Sequence, residues 1–190
     1  MGPAVTRRRP VIFLGLSLVC SAFILTTAAE AQPTPLEIEV KAAFLAKFAA
    51  YVIWPPGAVG AADEPIQLCI IGRDPFGAEL DQTVARQRVA LHPFVVRRLN
   101  GTASAAGCHI AFLGGSTTQS IAAMQDALDD KPILTVTDAS LGAERGMVHF
   151  ALKDGRVRFH IDDARAAHGN LVISARLLSL AITVRPRTQS

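Results

Sequence analysis

Residues 66–77 read Ile66-Gln67-Leu68-Cys69-Ile70-Ile71-Gly72-Arg73-Asp74-Pro75-Phe76-Gly77, a short apolar run that stops at a glycine turn. Five of its first six side chains are apolar, without alternation, which predicts a strand buried on both faces. Gly72 to Gly77 turns the chain, and Ala78 to Arg86 reads as a helix. The same grammar continues downstream. His92 to Leu99 is a second strand, followed by the Asn100-Gly101 turn, and His109 to Leu113 is a third, ended by Gly114-Gly115. Thr117 to Leu128 then reads as a helix with Ser116 or Thr117 as its cap, and Ile133 to Thr137 as a fourth strand closed by Asp138. Strands alternating with helices imply parallel pairing, with crossover helices on both faces of the sheet.

Upstream of this core, Leu36 to Val52 predicts a helix. Val40, Phe44, Leu45 and Phe48 form its apolar stripe, and Glu37 and Lys41 make an i,i+4 pair on its wet face. Trp54-Pro55-Pro56-Gly57 ends it, because the residue before a proline avoids the helical region. Downstream, Met147 to Leu152 and Arg156 to Ile161 flank Lys153-Asp154-Gly155, and Asp-Gly between two such runs signals a hairpin. Leu171 to Val184 reads as a final helix. The expected fold is a three-layer α/β sandwich. Its mixed, mostly parallel sheet ends in a C-terminal antiparallel hairpin and carries helices on both faces.

The first thirty residues are of another kind. Arg7, Arg8 and Arg9 precede an apolar run from Val11 to Ala28, and Ala29-Glu30-Ala31 supplies small residues for cleavage before Gln32. Residues 1–31 therefore read as a cleavable signal peptide and 32–190 as one α/β domain. An uncleaved membrane anchor is the alternative, since the run is near spanning length. Removing 1–31 takes away three arginines and one glutamate. That leaves sixteen basic and fifteen acidic side chains, so the formal charge falls from +3 to +1. The basic balance of the whole chain is largely a targeting signal and gives no support for nucleic-acid binding.

Cleavage also removes Cys20 and leaves Cys69 and Cys108. An even pair in an exported chain points to one disulfide, with two buried free thiols as the other reading. The five histidines show no metal-ligand spacing, no nucleophile elbow is present, and Asp162-Asp163 reads as a cap on the turn after a strand rather than a catalytic pair. The sequence thus predicts no enzyme, no cofactor and no metal. Two glycine loops at strand C-termini are ligand-binding candidates: Gly72, Arg73 and Asp74 in one, Gly114, Gly115 and Ser116 in the other. Both also suit plain turns and helix caps. Tyr51 and Trp54, the single Tyr and Trp, are candidates for partner contact or for core packing.

These motifs together resemble one family. Glu37, Val40-Lys41-Ala42-Ala43-Phe44, Phe48, Tyr51-Val52 and Trp54-Pro55 are similar to the opening helix of YfiR-like periplasmic proteins. Residues 69–77, Cys108 to Leu113, Leu134 to Asp138, Arg158 to Asp162 and Leu171 to Ala181 match the signatures that follow. The resemblance implies a periplasmic, dimeric regulator. Such a protein binds the periplasmic part of an inner-membrane diguanylate cyclase or similar sensor, and so lowers cyclic di-GMP and biofilm output. It also implies a disulfide between Cys69 and Cys108, which would couple fold stability to envelope redox state. Two positions depart from the family pattern. Residues 147–161 contain no second cysteine pair, and Asn170 stands where glycine is usual, a neutral exchange because Asn tolerates the left-handed conformation. A small-molecule receptor with ligand at the two glycine loops is the competing expectation.

Overall fold

The computed structural model describes residues 1–2, 33–61 and 63–188. The signal-peptide reading of residues 1–31 therefore falls almost wholly outside the described residues. Among the described residues the first element is α1 (Pro35–Phe48). Thr34 caps it by accepting from the Glu37 amide at 3.2 Å, and Pro35 at the first helical position loses no intrahelical bond. The sequence carries the helical expectation on to Val52, but α1 stops at Phe48. A 3-10 turn, Ala49–Tyr51, leads instead into β1 (Val52–Ile53). The reason is a remote partner that no local pattern contains: Val52 and Ile53 pair antiparallel with Ile173 and Val172.

Next come β2 (Ile66–Gly72), α2 (Ala78–Ala85), β3 (Arg88–Val89), β4 (His92–Leu99), β5 (Ile110–Gly115) and α3 (Ile121–Leu128). The expected helix from Thr117 starts four residues late, because Ser116 is engaged in its own loop. Its Oγ accepts from the Gln119 and Thr118 amides at 3.0 and 3.3 Å, and Ser120 caps α3 instead. The chain continues through β6 (Leu134–Asp138), β7 (Val148–Lys153) and β8 (Arg156–Asp162). Asp154 and Gly155 hold φ of 52° and 69° between paired Lys153 and Arg156, which is the two-residue hairpin that Asp-Gly predicts.

The predicted long C-terminal helix is absent from the described residues. After α4 (Asp163–His168), its place is taken by β9 (Val172–Ile173), α5 (Ala175–Leu178) and β10 (Val184–Arg185). Both ends of the expected helix are rich in β-branched side chains (Val172, Ile173, Ile182, Thr183, Val184), and each end finds a strand partner: β1 for the first, β8 for the second. Asp162 caps α4 by accepting from the Arg165 amide at 2.9 Å, as its reading as a turn cap requires. Asn170 leaves that helix at φ 57°, the left-handed conformation it tolerates.

The large sheet runs β10-β8-β7-β6-β5-β2-β4-β3, parallel except for the β7–β8 hairpin and the β3 edge. On one face α1 and α2 bury Leu45, Phe48, Leu80 and Val84 against Leu68, Ile70 and Phe112. Phe44 and Phe48 reach the hairpin, with centroids 5.4–6.2 Å from Phe150 and Phe159. On the other face α3 sets Met124 and Leu128 over Ile71, Ala111 and Leu113. This is the expected three-layer α/β sandwich. Two crossovers break the rule. Parallel β4 and β5, on either side of β2, are joined by residues 100–109, which hold only a 3-10 turn. Parallel β6 and β7 are joined by residues 139–147, which hold a 3-10 turn and no α-helix.

Glu37 and Lys41 form their i,i+4 pair, but not on a wet face. Both are buried, and Lys41 also bridges to buried Asp138 at the end of β6. The pair geometry follows from helix spacing, whereas the third charge arrives from a strand about a hundred residues away.

Candidate functional site

Consecutive strands spread from β2 in two directions: β4 lies on one side of it, and β5, β6 and β7 follow on the other. The strand order therefore reverses between β2 and β5. In an open α/β sheet, a crevice forms at the C-terminal ends of such a pair. Here the crevice is an open space of about 910 Å³ lined by Gly72, Arg73, Asn100, Gly114, Gly115 and Ser116, with Thr117, Thr118, Ser120 and Ile121 along the entry to α3. Leu141 and Glu144, from the β6–β7 crossover, complete it.

Five of the six candidate ligand residues thus meet in one place. The glycines are there for a reason that concerns the backbone. Gly72 has φ 85° and Gly115 has φ 67°, and a Cβ on Gly72 would overlap the Gly115 carbonyl oxygen. A Cβ on Gly114 would likewise overlap the Arg73 carbonyl oxygen. The Arg73 amide donates to the Gly115 oxygen at 2.9 Å, so the two loops cross in direct contact and form the crevice floor.

Asp74, the sixth candidate, does not line the crevice. One carboxylate oxygen accepts from the Phe76 and Gly77 amides at 2.7 and 3.1 Å, and the other accepts from Arg98 at 2.7 Å. Arg98 also grips Asp81, whose carboxyl it holds below the ordinary carboxylate value. This cluster fastens the first glycine loop to α2 and β4. Sequence reasoning missed Asn100, Leu141 and Glu144. Asn100 carried a usable signal, since it begins the turn at the end of the strand beside β2. Nothing local marks the other two.

The floor and walls of the crevice offer hydrogen-bonding groups: hydroxyls from Thr117, Thr118 and Ser120, one guanidinium from Arg73 and one carboxylate from Glu144. Ser120 already accepts from the Ala123 amide, so part of the α3 N-terminus is satisfied.

Cys69 on β2 and Cys108 just before β5 form a disulfide with Cα atoms 5.9 Å apart, well inside the range a bridge requires. The bond clamps the two strands of the reversal point below the crevice. Tyr51 and Trp54 lie elsewhere, around the small β1–β9 sheet. Trp54 is half-buried and stands edge-on to His109, with centroids 6.2 Å apart, and its buried indole N–H has no hydrogen-bond partner among the described residues. His109 accepts from the Gln67 amide through Nδ1 and donates to the Ala58 oxygen through Nε2, and burial lowers its pKa. Tyr51 is half-buried beneath the Arg176 guanidinium, 5.9 Å from its ring centroid. Beside it the cross-strand pair Ile53 and Val172 lies exposed.

A doubly wound α/β domain, clamped by a disulfide below a crevice at the reversal of its strand order, is what these features define. The chain belongs to the YfiR/HmsC-like family, whose model matches residues 38–182. That family comprises periplasmic regulators of cyclic di-GMP signalling and is regulatory rather than catalytic. No curated protein matches the chain.

Proposed function

We propose that residues 1–31 direct export, and that 32–190 work in the periplasm as a homodimeric regulator. It restrains a membrane-bound diguanylate cyclase, or a similar sensor, by binding that protein's periplasmic part, and so lowers cyclic di-GMP output. The family match across 38–182 carries this reading. The disulfide supports it, since such bridges persist in oxidising compartments. Exposed Ile53 and Val172, beside Tyr51 and Trp54, supply an apolar contact of the kind that anchors interfaces. Deleting the gene should raise cyclic di-GMP, and deleting the sensor as well should abolish the rise. Unchanged cyclic di-GMP in the single deletion sinks the proposal. The variant Ile53→Asp should lose the sensor in a pull-down that wild type passes.

The crevice favours a second reading, a small-molecule receptor with ligand held by Arg73, Gly114, Gly115 and Ser116. A melting temperature unmoved across a panel of nucleotides, amino acids and small anions would remove it.

A further inference from the structure

On the α3 side of the sheet, beyond the reach of α3 itself, the helix-free β6–β7 crossover leaves His149 on β7 and His160 on β8 with no helix over them, His149 buried and His160 half-buried. Their rings are tilted neighbours, with centroids 6.3 Å apart. Around them a recess of about 340 Å³ is lined by Arg145 from the crossover, Arg165 from α4, Arg185 from β10, and Asp162 and Thr183. It is more enclosed than the switch-point crevice and shares no lining residue with it.

The donors and acceptors do not balance. Among the described residues Asp162 is the one carboxylate on the wall, and both its oxygens are in use, one on the Arg165 amide and one on Arg185 at 3.2 Å. Arg165 commits part of its fork to Gln125 at 2.6 Å and to Asp129 at 3.5 Å. Arg145 has no hydrogen-bond or ion-pair partner among the described residues. The imidazoles add donors. Thr137 is fully buried, its Oγ accepts from the Gly146 amide at 2.8 Å, and His149 Nδ1, also 2.8 Å away, is the partner left for its own proton among the described residues. That fixes the tautomer with the proton on Nε2, the edge left for the recess. His160 engages Thr183 Oγ1 through Nδ1 at 2.7 Å, and its Nε2 has no partner among the described residues.

We propose that this recess binds a small tetrahedral oxyanion of the phosphate class, free phosphate or the head of a phosphomonoester, between Arg145, Arg165, Arg185 and the two imidazole edges. The donors come from five separate segments and therefore from several directions. A tetrahedral group with three or four oxygens can answer them all, whereas a planar carboxylate presents its acceptors in one plane. Burial, and after it the positive charge of Arg145, lowers both histidine pKa values, and a bound anion opposes the second of these effects.

The test is an NMR titration of the purified protein in a phosphate-free buffer, reading the imidazole resonances of His149 and His160. Inorganic phosphate should shift both saturably, and glycerol phosphate should do the same. A phosphomonoester that binds more tightly than phosphate identifies the monoester as the source, and the reverse order identifies the free ion. Arg145→Gln, an exposed change that leaves the fold intact, should weaken binding about tenfold or more. Arg73→Gln, in the other crevice, should leave it unchanged. Resonances that do not move, equal binding by a dicarboxylate of the same charge, or full affinity in Arg145→Gln would each overturn the assignment.

Discussion

Gly72 and Gly115 meet backbone to backbone at the reversal of strand order, and no side chain beyond hydrogen fits between them. The contact coincides with a register shift after Ile71, where β2 leaves its regular pairing with β5. A methyl group at position 72 faces both the overlap and a positive φ. Gly72→Ala should therefore cost about 2–4 kcal/mol, the sum of overpacking and left-handed strain. Urea unfolding reads this directly. A loss below about 0.5 kcal/mol would show that the loops can part.

The disulfide closes a loop of sequence separation 39. Chain entropy alone puts its contribution at about 4 kcal/mol. A Cys69→Ala, Cys108→Ala double variant should unfold at correspondingly lower denaturant, and a reductant should bring wild type to the same midpoint. Equal midpoints with and without reductant would show that the bridge does not stabilise the fold.

Lys41 is buried between Glu37 and Asp138. Removing the cation leaves two carboxylates facing each other out of water. Lys41→Met should thus destabilise by about 3–5 kcal/mol, as broken buried pairs do. Equilibrium unfolding checks it, and a change within about 1 kcal/mol, the value of an exposed pair, would contradict the burial.

Burial, aided by the charges of Arg145 and His160, pushes His149 down to about 4, from an ordinary value near 6.5. The unfolded chain takes up a proton at this position near pH 6.5, whereas the folded one waits until about 4. Stability from this group is therefore complete above about pH 6.5 and falls as pH drops towards 4, by up to roughly 3 kcal/mol. His149→Gln should flatten that slope when urea midpoints are compared across the same range.

The central strands were plain in the sequence because they are buried on both faces and punctuated by glycine. The structure moves their ends by a residue or two at most: Ile66–Gly72 against a reading that stops at Ile71, and Ile110–Gly115 against one from His109 to Leu113. The Asp154-Gly155 turn was equally plain, since its dipeptide demands the φ values observed. The C-terminal stretch was not legible. Its leucines suit a helix, but its β-branched ends, Val172 and Ile173 at one side and Ile182 to Val184 at the other, follow partners far away in the chain. The crevice was half legible: strand-end glycines located its floor, while Leu141 and Glu144 arrive on a crossover whose path depends on the finished sheet. The charged recess left no local mark at all, because its five donors come from segments that only folding assembles.

Strands β2 and β5 are held at two levels, by a covalent bridge near one end and by interlocked loops at the other. Slippage of one half of the sheet past the other is thereby barred. The floor of the crevice is therefore a stiff anvil, and the 139–147 segment beside it is held by neither fastening.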